Sequence, residues 1–303
     1  MKKGILFALT AYLLWGFYPL YFKLLESVPA AQIIGHRIFW SFVVLSLVVL
    51  LRREIGSLVK SVNRRILAVY CAAGILLTIN WGTYVWAVNS GHVVESSLGY
   101  FINPLVSVLL GVVFLREKLR TLQWVPVALA AASVTYLTIS LGQLPWISLV
   151  LAITFGLYGL VKKVAPLNSL HGLTLETAAV FLPAVGFLLF EEFRGVGSFA
   201  HAGAGISLLL VLAGPVTVIP LIFFASGARR IPLSTVGILQ YVSPTMQFLI
   251  GVLIYREPFD IHHLIGFSIT WLALIIFTVE GLLNQRRERA AAGTGPIKGS
   301  TVS

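Results

Sequence analysis

The chain has 303 residues, of which 58% are hydrophobic and only 11% charged, where a soluble domain carries about 25% charge. A mean hydropathy of +0.92 therefore excludes an ordinary water-soluble domain and requires apolar surface that faces a lipid bilayer. The formal net charge of +11 would suit nucleic acid, but the basic residues are spaced as a topology signal, so no nucleic-acid partner is expected.

A membrane-spanning helix needs about 20 apolar residues, so this length holds about ten of them and little else. The first apolar run follows Lys2-Lys3 and lacks a small-x-small cleavage pattern. It also exceeds the ~7–15-residue core of a signal peptide, so it is a span. The spans predicted in chain order are 5–22, 33–51, 66–88, 96–115 and 122–140, then 146–161, 173–190, 207–225, 234–254 and 262–283. These runs are solid rather than alternating, which selects helices over a barrel. The expected fold is all-α integral membrane, with ten transmembrane helices.

Placing both termini in the cytoplasm puts nearly every Lys and Arg on the inner side. Only Lys23, Arg194 and Arg256 fall outside, and Arg37 lies within a span. The single cysteine, Cys71, sits in an apolar run and forms no intramolecular disulfide.

A constant offset of 140 residues relates the two halves. Gly16 matches Gly156, Tyr18 matches Tyr158, Gly74 matches Gly214, Pro104 matches Pro244, and Arg116-Glu117 match Arg256-Glu257. Glycine, proline and charge landmarks hold this register across all five segments. An odd number of spans per repeat inverts the second copy, which predicts a pseudo-twofold axis in the membrane plane. The domains are then 1–140, a first five-helix repeat, and 141–283, its inverted twin. Residues 284–303 are expected to be a disordered cytoplasmic tail.

Two prolines interrupt repeat-equivalent spans: Pro104 after Asn103, and Pro244 after Ser243. Each frees the carbonyl four residues back, at Tyr100 and Gln240, and a freed carbonyl in hydrocarbon must face protein or a wet cavity. Tyr100, Asn103, Gln240, Tyr241 and Ser243 are the expected contacts of such a cavity; the alternative is a pair of structural kinks. The third span adds Asn80 and Tyr84 on one helical face, which suits a cavity wall or interhelical hydrogen bonding equally.

Charged and titratable groups inside spans are costly and therefore informative. His36-Arg37 open the second span. Glu95 precedes the fourth on the same side, so an Arg37–Glu95 pair is geometrically open, as is Arg37 reaching the interface alone. Glu176, the repeat counterpart of His36, suits either proton relay or a structural hydrogen bond. The Arg-Glu pairs at 116–117 and 256–257 read as markers of membrane depth, with gating as the alternative. His262-His263 lack any further ligand spacing, and no nucleophile elbow, phosphate loop or zinc-protease motif occurs. No metal, cofactor or catalytic residue is expected, and the chain is not read as an enzyme.

The segments WGFYPLYFK (15–23), HRIFW (36–40), NWGTYVWAVN (80–89) and ESSLGYFINPL (95–105) closely resemble the RarD branch of the drug/metabolite transporter superfamily, built from EamA repeats. QYVSPT (240–245) and YREP (255–258) are similar to the same family more generically. The resemblance implies a bacterial inner-membrane permease. Such a permease exports small organic solutes by alternating access around a central cavity lined by the fourth and ninth helices. Its expected partners are the lipid bilayer, a small-molecule substrate and, as a candidate coupling ion, the proton.

Overall fold

The computed structural model describes residues 2–116, 121–228, 230 and 239–293, and the backbone there is helical with no strand. The helices are α1 (Lys2–Gly16), α2 (Tyr18–Lys23), α3 (Ala30–Leu51), α4 (Ile55–Ser61), α5 (Arg64–Asn89) and α6 (Val93–Leu115). They continue with α7 (Trp124–Leu141), α8 (Trp146–Val164), α9 (Ser169–Phe193), α10 (Ala204–Ala228), α11 (Val242–Leu249) and α12 (Ile261–Gly293). Among the described residues, six stretches are long and apolar enough to cross a membrane, and Trp124–Ser140, Trp146–Val161 and Val242–Ile254 are shorter apolar helices. Leu47, Ile139, Leu182 and Leu253 point outward. Helices that are apolar on the outside as well as the inside belong in lipid.

Packing repeats under the 140-residue shift. α6 lies on α8 as α1 lies on α11; α3 lies on α10 as α5 lies on α9; α1 lies on α10 as α8 lies on α5. The pairs α3–α9, α6–α11 and α7–α12 map onto themselves. Glycines mark the closest approaches. A Cβ on Gly16 would stand 2.6 Å from the sulfur of Met246, and one on Gly156 would stand 3.1 Å from Val106, which is Met246 shifted back by 140. Likewise a Cβ on Gly74 would meet Val180 at 3.4 Å, and one on Gly214 would meet Trp40 at 2.6 Å. The sequence landmarks are therefore places of close helix approach. The approach is onto side chains at Gly16 and Gly156 and onto backbone at Gly74 and Gly214, where a Cβ would stand 2.5 Å from the carbonyl oxygen of Glu176 and the carbonyl carbon of Trp40.

Proline shapes the spans, though not only where the sequence analysis looked. The first span is not continuous: it breaks at Phe17, and α2 restarts with Pro19 in its first turn. Pro19 frees the carbonyl of Trp15, which accepts from Gln247 Nε2 at 3.1 Å. Pro220 inside α10 frees the carbonyl of Val216, which accepts from the Tyr18 hydroxyl at 2.8 Å. Side chains from the other repeat answer both exposed acceptors, as hydrocarbon requires. In the ninth span the chain turns at Tyr241 and α11 starts beside Pro244, ending in a π-turn over Ile250–Ile254. At the fourth span the backbone of α6 is helical through position 104, while the Pro104 side chain lies outside the described residues.

The backbone of α12 is helical to Gly293, ten residues into the stretch that the sequence reads as a tail. The segment QRRERAAA is composed of good helix formers, so a helix already nucleated in the span propagates through it. Residues 294–303 lie outside the described residues.

Candidate functional site

Arg37 enters the bundle two turns into α3, about 10 Å from its start at the ~1.5 Å rise of a helix, and is only 2% exposed. Its Nε donates to Thr217 Oγ1 at 2.7 Å. Thr217 in turn donates to the carbonyl of Ala213, so its oxygen is free to accept from the guanidinium. The guanidinium carbon lies 4.0 Å from the centre of the Trp81 ring, 5.2 Å from Phe22 and 5.4 Å from Tyr18. These aromatic faces stabilise a desolvated cation.

Among the described residues no carboxylate pairs with Arg37; its electrostatic neighbours are the phenols of Tyr18, Tyr100, Tyr84 and Tyr21. The Arg37–Glu95 pair does not form. Glu95 instead lies 3.6 Å from His92 Nδ1, one helical turn away on the more exposed rim. The reason is direction: Arg37 points inward across α3 to α10, whereas Glu95 opens α6 and stays at its end.

Asn80, Tyr84 and Tyr100 gather beside this cation. Tyr100 donates to Asn80 Oδ1 at 3.2 Å. Asn80 Nδ2 donates to the Leu151 carbonyl and to Thr154 Oγ1, each at 3.0 Å. One asparagine thus joins α5, α6 and α8. Tyr84 is 2% exposed, its ring 5.8 Å from Tyr100 and 6.1 Å from Phe22. Its hydroxyl has no partner among the described residues.

The same is true of Arg37 Nη1, and of His36 Nδ1, Trp40 Nε1 and Ser41 Oγ, which share α3 with it. His36 stacks on Phe199 at 5.1 Å. Buried polar atoms are almost always satisfied by protein or by water, so these groups mark the polar part of the bundle.

The remaining candidates lie apart. Glu176 is 1% exposed and accepts from the Tyr158 hydroxyl at 3.1 Å. It lines a small cavity of about 10 Å³ with Ser41, Trp81 and Thr217, room for roughly one water. A second space of about 240 Å³, lined by Leu14, Phe17, Tyr21 and Pro220, opens between α1, α2 and α10. Asn103 is buried where α6 meets Gly156 of α8. Ser243 accepts from Gln247 at 3.2 Å. Tyr241 stacks on Phe101 at 6.5 Å, and Gln240 is half-buried at the start of the ninth span. In this conformation α6 and α11 pack directly against each other through these rings.

The sequence reads Glu257 as a depth marker, with gating as the alternative. Its two carboxylate oxygens accept from the Val93 and Val94 N–H groups, both at 2.7 Å, capping α6 from the far repeat. Burial holds this carboxyl above the usual range, outweighing the two backbone donors that pull it down. Arg256 takes a left-handed conformation (φ 52°), as does its repeat partner Arg116 (φ 56°). The repeat counterpart of Glu257, Glu117, lies outside the described residues. Thr217 and Thr154 carried no signal, since threonines in apolar spans usually bond their own helix.

Among the described residues, apolar helices that pack in a repeated pattern around a polar centre define an integral membrane protein in architecture. The model of the EamA-like transporter family matches residues 2–139 and again 144–279, and the chain belongs to that family. Within it, the chain is 46% identical to a protein named RarD from Streptomyces exfoliatus, over 95% of this chain and 92% of that protein. It is 49% identical to an uncharacterized transporter, YojE, from Bacillus subtilis, over 91% of this chain and 94% of the relative. A solved crystal structure with 19% sequence identity covers 92% of this chain and 98% of its own, with a TM-score of 0.59, which supports the fold alone.

Proposed function

We propose that the chain is a ten-span secondary transporter of small organic solutes in the bacterial inner membrane, with both termini cytoplasmic. It works by alternating access between two inverted five-helix repeats. The observation that carries this reading is a polar centre drawn from both repeats, with donors left unsatisfied inside lipid-facing helices. Such a centre is costly in a protein that only packs. Tyr18, Arg37, Trp81, Tyr84 and Tyr100 come from the first repeat, and Leu151, Thr154 and Thr217 from the second, so a relative movement of the halves opens or closes it. Glu176, hydrogen-bonded to Tyr158 beside the small cavity, is the proton-carrying candidate.

The test is uptake by the purified chain in proteoliposomes, using a labelled panel of amino acids, organic acids and antibiotics with and without a pH gradient. Saturable uptake driven by the gradient, with the drive lost in Glu176→Gln, is the expected result. Saturable but gradient-insensitive flux would make the protein an uncoupled facilitator. A rate no higher than in protein-free vesicles for the whole panel would overturn the transporter reading.

A further inference from the structure

Arg37 combines two properties that a purely structural arginine does not need. It is buried, yet no carboxylate among the described residues compensates it. Its fork is also only partly used: Nε is committed to Thr217 and the guanidinium face lies on Trp81, but Nη1 has no acceptor among the described residues. The Tyr84 hydroxyl, buried in the same cluster, is likewise unpartnered. Two open donors, one of them charged, match the two oxygens of a carboxylate.

We propose that Arg37 Nη1 and the Tyr84 hydroxyl form the anion subsite of the transported molecule, which is a small organic monocarboxylate. This rests on the transporter reading above. One carboxylate brings one negative charge to one uncompensated positive charge, so the loaded centre is neutral while the empty one is not. A phosphate dianion would leave an excess negative charge in the bundle and is disfavoured. An amine would set like charges together at the guanidinium. Thr217 acts as a positioning residue: by holding Nε it fixes the plane of the guanidinium against Trp81, with Nη1 left for the ligand.

The experiment is thermal unfolding of the purified full chain in lipid nanodiscs, with matched probes on three scaffolds. Benzoate is set against benzamide, benzylamine and phenyl phosphate; indole-3-acetate against its amide and tryptamine; and butyrate against butyramide and butylamine. The expected result is that at least one acid raises the apparent Tm, saturably, while its amide, amine and phosphate counterparts do not. Tyr84→Phe and Arg37→Gln should weaken that acid by about tenfold or more, as loss of a charge-assisted hydrogen bond does. Arg37→Lys should retain part of the effect.

An amide or amine that stabilises as well as its acid overturns the proposal, and so does a panel in which no acid stabilises. So does an acid whose effect survives Arg37→Gln. The comparison of acid with amide is made on the wild-type chain and needs no variant to fold. An acid that binds but never crosses a proteoliposome membrane would refute transport and leave the subsite standing. Uptake confined to amines or amides would do the reverse.

Discussion

Removing the Glu257 carboxylate strips the first turn of α6 of two caps at once. Each of its oxygens takes one backbone N–H at 2.7 Å, and both donors belong to the set that no helix can satisfy internally. Hydrogen bonds between helices in membranes contribute on average about 0.6 kcal/mol and at most about 1.7 kcal/mol. Two of them, with the attraction of a carboxylate to a helix N-terminus of about 0.3–1 kcal/mol, give about 1.5–4 kcal/mol for Glu257→Ala. Glu257→Gln keeps one acceptor oxygen but no charge, so it should lose about half as much. Glu95→Ala is the control, because among the described residues that carboxylate pairs with His92 on the rim, and its loss forfeits at most the contribution of a carboxylate in the first turn, about 0.3–1 kcal/mol. Unfolding free energies in mixed micelles should rank Ala below Gln below wild type at position 257, with the control near wild type. A Glu257→Ala protein within about 0.5 kcal/mol of wild type would refute the capping argument, since that lies inside the ordinary scatter of surface substitutions.

Other changes read the fold and the centre. Gly214→Val places methyl groups where even a Cβ would stand 2.5 Å from the backbone of Trp40. It should destabilise by about 1–3 kcal/mol or more, whereas Gly82→Val, with nothing within 4 Å, should not, as thermal unfolding would show. Asn80→Ala removes the bonds to Leu151, Thr154 and Tyr100. A loss of about 1–3 kcal/mol in micelle unfolding is expected, with Asn80→Asp worse than Asn80→Gln if the donors matter most. Tyr158→Phe deletes the hydroxyl that Glu176 accepts. If that bond supports a coupling carboxylate, the pH profile of uptake should shift while unsaturated leak stays unchanged.

Much of the architecture is written in local chemistry. Apolar runs mark most of the helices, and the glycines at 74 and 214 hold the register because a Cβ there would stand 2.5 Å from the backbone of the facing helix. Asn80 and Tyr84, on one helical face, do meet Tyr100. What could not be read was which partner each polar group finds across the bundle. Arg37 takes Thr217 rather than Glu95 because the inward direction of α3 is a tertiary fact. The prolines at 19 and 220 were passed over because their freed carbonyls are satisfied by Gln247 and Tyr18, residues far away in sequence. Likewise Glu257 looks like any end-of-span charge until α6 is brought beside it.

The inversion of the two repeats is the claim on which the rest depends, and one labelling measurement tests it. Glu54 and Arg194 are related by the 140-residue shift and stand in the connections after α3 and α9. With Cys71 replaced, single cysteines at the two positions are treated in intact cells with a membrane-impermeant thiol reagent. The account predicts that position 194 reacts from outside, while position 54 reacts only after the membrane is opened. Reaction of both from the same face would contradict it.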